Sequence, residues 1–334
     1  MTIDLPLVWA VILLVAVFMY VVMDGFDLGI GILFPFIRNG DHRDQMMSSI
    51  APVWDGNETW LILGGVGLMP VFPVAFSILF TAFYAPLIAM LLALVFRGVA
   101  FEFRYRDPGH RRYWDAAFTL GSLVAAFMQG MLLGTFIQGI AVEDRAYAGG
   151  WFDWLTPFSL FTGASLAAGY ALLGAGWLAL KTEGALRERV YGMLPWLLAL
   201  VLVAIVTVSL WTPLLNEEIA RRWFRLPNLF YLSPVPLLVA VAGFLAFRGI
   251  RQRRDAQPFL YGLALFALSF VGLGISLYPY IVPPHITIWE AASAESSQVF
   301  LLVGTVVLLP LILGYMFYAY WVFRGKVGVE GGYH

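Results

Sequence analysis

The stretch VVMDGFDLGIGILF, residues 21–34, places two carboxylates and three glycines inside an apolar run that begins near residue 6. Asp24 and Asp27 are three residues apart, so a helix would carry both on one face. An aspartate in the middle of a bilayer costs about 2.5–3.5 kcal/mol on insertion scales. Acids in such a place are functional or tightly paired, and these two are therefore the first candidates for a site.

The composition around this stretch indicates an integral membrane protein. Of 334 residues, 61% are hydrophobic and 12% are charged, against about 25% charged in ordinary soluble proteins. Mean hydropathy is +0.82. A net charge of −1 provides no basic surface for nucleic acid. Without cysteine, disulfides and thiolate metal sites are excluded.

Nine apolar segments are long enough for about 20 residues of membrane-spanning helix. They do not alternate as the strands of a membrane barrel would. We therefore predict an all-α integral membrane protein with one membrane domain over residues 1–334 and a first helix that is retained rather than cleaved as a signal peptide. The predicted spans are 6–36, 46–70, 74–101, 113–141, 155–180, 190–211, 230–248, 257–279 and 298–323.

Lysine and arginine in the connecting loops predict the orientation. With the N-terminus outside, 15 of the 20 basic residues fall in inside loops and 4 fall outside. Arg97, within the third span, completes the set. The N-terminus is therefore predicted to lie outside and the C-terminus in the cytoplasm.

Five carboxylates from the first three spans are predicted to share the inner half of the membrane. At 1.5 Å per residue, Asp24 lies about 27 Å along its helix. Consecutive helices with short connections are usually neighbours. Protonatable groups in such a row suit a proton path. The predicted path residues are Asp24, Asp27, Asp55, Glu58 and Glu102, supported by Trp54, Asn57 and Arg106.

Other interpretations of these acids stay open. Each aspartate pair could instead hydrogen-bond backbone groups freed by a kink and so hold helices together. The chain would then be a scaffold. Buried acids also suit a stand-alone proton-coupled permease.

Cofactor ligands are scarce in the predicted spans. The four histidines, His42, His110, His285 and His334, fall in loops or in the tail. Haem iron is normally held by His, Cys, Met or Tyr, so we expect no haem bound through histidine and no metal site in this chain. No Walker loop, dinucleotide fingerprint or HExxH pair is present, and no catalytic residue is predicted here.

Three motifs closely resemble subunit II of cytochrome bd-type quinol oxidases, most nearly the cyanide-insensitive branch. They are MDGFDLGIGILFPF from residue 23, APVWDGNETWLILGGVGL from residue 51, and ITIWEAAS from residue 286 with the helix that follows it. The resemblance runs from about residue 5 to residue 327. It implies nine helices arranged as two four-helix bundles plus one peripheral helix, in the bacterial inner membrane.

The resemblance also implies a function. Such a subunit carries no haem; haems b and d belong to its partner, subunit I, which oxidises quinol and reduces dioxygen to water with cytoplasmic protons. By resemblance Asp55 and Glu102 line the proton channel, and Arg106 stands where some members have Lys. Arginine keeps its proton, so it can orient water but cannot relay. A structural quinone, lipids and a small single-helix accessory subunit are further expected partners.

Overall fold

The computed structural model describes residues 4–328 and is almost entirely helical. His334 lies outside the described residues. The helices are α1 (Leu5–Leu33), α2 (Gly40–Ser48), α3 (Trp54–Val66), α4 (Leu68–Val71), α5 (Pro73–Ala82), α6 (Tyr84–Arg106), α7 (Arg111–Gln138), α8 (Pro157–Lys181), α9 (Gly184–Leu215), α10 (Glu217–Phe224), α11 (Asn228–Leu232), α12 (Pro234–Arg251), α13 (Ala256–Leu277), α14 (Ile288–Ala291) and α15 (Glu295–Val322).

Within residues 4–328, eight helical segments are long and apolar enough to cross a membrane. They confirm a multi-pass membrane protein, and their ends differ from most of the predicted spans by a few residues. The nine-span count and the division into two four-helix bundles stay predictions. The eight segments are Leu5–Phe36, Tyr84–Arg106, Pro108–Gln138, Pro157–Lys181, Gly184–Leu215, Asn228–Arg251, Ala256–Leu277 and Glu295–Val322.

The predicted second span, 46–70, is not one helix. Residues 49–53 form a turn that contains Pro52, and α3 begins only after it, at Trp54. Proline removes a backbone donor and disfavours helical geometry in the residue before it. A further break at Gly67 separates α3 from α4. The predicted second span thus corresponds to the interrupted stretch 54–71, which is not among the eight segments and is the one on which the nine-span prediction depends.

The predicted third span, 74–101, was wrong at its start. Residues 73–82 form the separate helix α5, and the long helix α6 begins at Tyr84. Pro86 cannot donate the hydrogen bond that would join the two. Uniform hydrophobicity across 74–101 concealed this break.

At one end of the bundle, α5 packs against two short hairpins. These are β1 (Val142–Glu143) with β2 (Ala146–Tyr147), and β3 (Tyr280–Val282) with β4 (Ile286–Thr287). Trp9 from the start of α1 joins this apolar cluster, and its indole nitrogen donates to the Gln298 carbonyl. The other end carries most of the arginines and is called the basic end below.

Helix α1 is central, because it packs against α3, α7, α8, α13 and α15. Its closest approach is to α8, where glycine meets glycine. A Cβ atom placed on Gly29 would lie 1.8 Å from the Tyr170 carbonyl oxygen, and one on Gly174 would lie 2.6 Å from the Gly29 carbonyl carbon. The glycines of the first motif therefore bring backbone against backbone beside Asp24 and Asp27.

Helix α15 is the least embedded of the long helices. Its buried residues are Gln298 and Met316, and the Trp60 indole nitrogen lies 2.9 Å from the Met316 sulfur. A helix so exposed fits the expected peripheral position, with its apolar surface available to lipid or to a partner.

We predict that Gly29→Ala destabilises the protein by at least about 1–3 kcal/mol, because the new methyl group has no space beside the α8 backbone. Thermal unfolding of the purified protein measures this. Gly304→Ala is the matched control, since a Cβ there meets nothing within 4 Å and alanine favours helix over glycine. Equal unfolding temperatures for the two variants would contradict the packing account.

Candidate functional site

The centre of the candidate site is a buried ion pair between α1 and α6. Asp24 and Asp27 are both fully buried, and Arg97 is 1% exposed. The Arg97 Nη1 donates to Asp24 Oδ1 at 2.9 Å, and its Nη2 lies 3.9 Å from Asp27 Oδ2. Helical spacing places the two acids on one face of α1, and that face meets the arginine.

A third carboxyl reaches the same guanidinium from α3. Glu58 Oε2 lies 3.6 Å from Arg97 Nη1, and the Glu58 side chain is 29% exposed. On the other side, the Arg97 guanidinium lies over the Trp54 ring at 5.8 Å, and Trp54 stacks on Phe101 with ring centroids 5.1 Å apart. Arg97 therefore joins three acids, of which Glu58 is partly open to the surroundings. We call Asp24, Asp27, Glu58 and Arg97 the acid cluster.

Asn57 extends the cluster to the peripheral helix. Its amide nitrogen donates to Asp27 Oδ2 at 2.7 Å, and its carbonyl oxygen accepts from the Tyr320 hydroxyl of α15 at 2.8 Å. The predicted supporting role of Asn57 therefore has a geometric basis: it holds Asp27 and α15 together.

Further polar groups lie near Asp24, one turn closer to the N-terminus of α1. Tyr20 precedes Asp24 by one turn of α1, and its hydroxyl accepts from Gln129 Nε2 at 2.8 Å. The Tyr170 hydroxyl donates to Gln129 Oε1 at 2.7 Å. Hydrogen-bonding side chains thus continue from the acid cluster into α7 and α8.

The other predicted acids lie on the surface of the chain. Asp55 and Glu102 are exposed, and Glu102 Oε2 lies 3.8 Å from the exposed Arg106 Nη2. Asp55 stands one turn before Glu58 on α3. Of the five predicted path residues, Asp24, Asp27 and Glu58 are brought together, while two flank them on the outer face of α3 and α6.

Sequence reasoning gave no role to Arg97, the residue that organises this site. Its signal was present, because a basic residue well inside a predicted span needs an acidic partner. Tyr320 gave no comparable signal, since it is one of 15 tyrosines and lies 263 residues from Asn57 along the chain.

A second network of ion pairs joins α2, α6 and α7 at the basic end. Arg104 is 1% exposed and pairs with Asp44 of α2 and with Asp115 of α7, the latter at 2.5 Å. Arg43 Nη1 reaches Asp115 at 2.8 Å, and Arg111 also pairs with Asp44. These contacts tie α2 to the ends of α6 and α7, next to the turn that leads into α3.

The chain after α15 docks on the same end of the bundle. The Lys181 Nζ donates to the carbonyls of Phe323 and, at 3.2 Å, Gly325. In return the Val327 amide donates to the Lys181 carbonyl at 2.8 Å. We call residues 323–328 the docked tail.

An ion pair completes this docking. Lys326 Nζ lies 2.8 Å from Asp255 Oδ2. Burial alone would raise the pKa of Asp255, but hydrogen bonds from Arg187, Lys326 and Tyr191 hold that pKa below its usual range. The ionised carboxylate is therefore the form that binds the tail.

The chain is similar in sequence to known proteins over nearly its whole length. The family model described as cytochrome bd terminal oxidase subunit II matches residues 5–323. The Escherichia coli protein named cytochrome bd-I ubiquinol oxidase subunit 2 is 29% identical, over 98% of this chain and 96% of that protein. The Bacillus subtilis cytochrome bd ubiquinol oxidase subunit 2 is 27% identical, over 96% of each.

A solved structure shares the fold. The bd oxidase from Geobacillus thermodenitrificans contains a chain that superposes with a TM-score of 0.78 at 20% identity, covering 96% of this chain and 99% of that one. The fold and the site together define a class of protein: a multi-pass helical membrane protein with acidic side chains buried between its helices. Within that class, the chain belongs to the cytochrome bd terminal oxidase subunit II family.

Metal ligands are not grouped in the part of the chain that is described. Residues 4–328 contain no set of three or more His, Cys, Asp or Glu side chains placed to hold a metal ion. His42, His110 and His285 lie in α2, in the turn before α7 and between β3 and β4, respectively.

We predict that Arg97→Gln destabilises the protein by about 3–5 kcal/mol, because it leaves buried carboxylates without their counter-charge. Thermal unfolding of the purified protein measures the loss. Asp24→Asn in the same chain should restore part of it, since fewer charges then need compensation. Arg106→Gln, at an exposed position, should stay within about 0.5 kcal/mol of the parent. An Arg97→Gln protein as stable as the Arg106→Gln control would contradict a structural ion pair.

We also predict a pH-dependent tail. Because the pKa of Asp255 is lowered, its contribution to tail docking should be complete above about pH 4, the ordinary range of aspartate, and that contribution should be lost as pH falls through the lowered pKa. Hydrogen exchange at the Val327 amide reports it. Asp255→Asn should reduce protection about fivefold already at pH 7, whereas Asp41→Asn, at an exposed position of α2, should not. Unchanged protection in Asp255→Asn would contradict the ion-pair account.

Proposed function

We propose that this chain, as subunit II of a quinol-oxidising terminal oxidase, conducts cytoplasmic protons toward the oxygen-reducing site of a haem-bearing partner and stabilises that partner. The observation that supports this most is the acid cluster, in which three carboxyls surround Arg97 and one of them, Glu58, is partly exposed. A purely structural ion pair needs one carboxylate for one guanidinium.

The charge balance of the cluster favours bound protons. If all three carboxyls were ionised, one guanidinium would leave two uncompensated negative charges in a low-dielectric interior, which is strongly unfavourable. Asp24 Oδ2 and Asp27 Oδ1 also have no hydrogen-bond donor among the described residues. The cluster therefore retains protons that can be exchanged. Arg97 keeps its own proton and serves to fix the positions of the carboxyls.

The exposed charges on α3 and α6 indicate where the partner binds. Glu102 and Arg106 lie at helical spacing with the exposed apolar residues Val95 and Val99 of α6, and Asp55 is exposed next to Trp54, which stacks on Phe101 of the same helix. Charged side chains that face lipid are costly, so we infer that a protein covers this face. The haem-bearing subunit is the occupant that brings the acids next to the oxygen site. This surface of α3 and α6 is called the partner face below.

A route follows from these positions. Protons enter at the basic end, taken as cytoplasmic from the distribution of lysine and arginine. They pass Glu102 and Asp55 on the partner face, with Glu58 exchanging protons between that face and Asp24 or Asp27. The haems, and the quinol oxidation named for the E. coli and B. subtilis relatives, belong to the partner subunit.

Two competing functions make different predictions. A stand-alone permease is not favoured by membership of an oxidase family, and it would purify without a haem-bearing partner. A scaffold subunit would tolerate neutral acids wherever the complex still assembles. The kinetics of fully assembled variants therefore separate conduction from scaffolding.

We predict that Asp55→Asn and Glu58→Gln each slow quinol-driven oxygen uptake about tenfold or more, since a positioned proton donor contributes about 10²–10⁴ to rate. The haem spectrum per complex should stay at the parent level. Oxygen consumption by the purified complex, normalised to haem, is the measurement.

Asp144→Asn is the matched control for these two variants. Asp144 is an exposed acid in the β1–β2 hairpin, far from the acid cluster, and its variant should respire like the parent. Parent rates in assembled Asp55→Asn and Glu58→Gln complexes would refute proton conduction. Loss of the haem spectrum in those two variants would instead support the scaffold role.

A further inference from the structure

A corner of the basic end carries more arginine than its acids can neutralise. The segments 183–189 and 248–255 hold six arginines and three acids. Each of these acids is already paired: Glu188 with Arg187 and Arg253, and both Glu183 and Asp255 with Lys326.

Of these six arginines, Arg187 and Arg253 pair with acids among the described residues, which leaves Arg189, Arg248, Arg251 and Arg254, and the last three follow one another at the end of α12 and just after it. Arg248 and Arg251 are exposed and lie three residues apart, so they share one face of α12. Neither is needed to cap the helix. The carbonyls of Arg248, Gly249 and Ile250 already accept from backbone amides of the following turn.

The same face of α12 continues as an exposed apolar stripe. Leu237, Val241 and Phe244 precede Arg248 at helical spacing, and their side chains are 64%, 51% and 64% exposed. The Arg251 guanidinium lies 5.6 Å from the Phe247 ring centre, which turns its charge back toward the apolar stripe. A pair of cations thus terminates an apolar stripe about 16 Å long at 1.5 Å per residue, which is about the depth of one leaflet of the bilayer core.

We propose that Arg248 and Arg251 bind the phosphate of an anionic phospholipid whose acyl chain lies along Leu237, Val241 and Phe244. Guanidinium groups bind phosphate through two parallel hydrogen bonds, and basic surfaces at the ends of membrane helices select anionic headgroups. The apolar stripe accounts for the acyl chain, which a free phosphate ion lacks.

A lipid fits this surface better than the haem-bearing partner does. Helix α12 packs against α9, α11 and α13, with no comparable packing against α3 or α6, so it lies away from the partner face. This inference is independent of proton conduction and would stand if Asp55 and Glu58 proved to be structural.

The test measures lipid binding to the intact complex, purified through this chain. Native mass spectrometry would follow titration with phosphatidylglycerol and, separately, with phosphatidylcholine. We expect the parent to prefer phosphatidylglycerol, and Arg248→Gln with Arg251→Gln to weaken its binding about 10- to 30-fold. The preference should also decline as salt is raised.

Two controls make the result specific. Arg253→Gln removes one positive charge from the same turn, but from an arginine that pairs with Glu188, and should change binding less than twofold. Replacing Arg248 and Arg251 by lysine keeps both charges and should retain most of the preference. Haem content and unfolding temperature confirm that each variant is assembled.

Four outcomes would overturn the proposal. The first two are a parent complex that binds both lipids equally and a glutamine variant that still prefers phosphatidylglycerol. The third is glycerophosphate that binds as tightly as the full lipid. The fourth is dissociation of the partner subunit from the glutamine variant. The last would make this surface a protein interface.

Discussion

The contact of Arg97 with Asp24 is the interaction on which the rest of the structure depends. Both groups are buried between membrane helices, where neither charge is tolerated alone. The pair connects α6 to the centre of α1 through side chains, whereas the backbone of α6 packs mainly against α7. The glycines of α1 permit the close approach of α8 on the opposite side. Asn57 then brings α3 and α15 to the same centre.

A cluster with more acids than bases has two consequences for function. One guanidinium faces three carboxyls, so the charges of the cluster balance only if some of those carboxyls hold protons. Such protons have to be supplied from outside the cluster. Glu58 is the partly exposed member, so under the proposed function the same residues that hold the helices together would also exchange protons with a neighbouring subunit. Structure and conduction are thus compatible uses of one set of side chains, which is why assembled variants are needed to separate them.

Much of the fold could be predicted from the sequence, because hydrophobic length reports a membrane helix directly. The interruptions at Pro52 and Pro86 were missed because the spans were assigned from hydrophobic length alone, which does not register the loss of a backbone donor at proline. The acids of the site were predicted from their depth in lipid. The pairing of Asp24 with Arg97, 73 residues apart, could not be, because periodicity identifies the face of a helix but not the helix it meets. The docking of the tail on Asp255, 71 residues from Lys326, is beyond sequence reasoning for the same reason.

The most direct test is infrared difference spectroscopy of the intact complex as it passes from the reduced state through reaction with oxygen. Our account predicts a carbonyl stretch from a protonated carboxyl that shifts in heavy water, changes during the reaction and is lost in Glu58→Gln. A complex that reduces oxygen at the parent rate with no carboxyl signal sensitive to Glu58, Asp24 or Asp27 would contradict it.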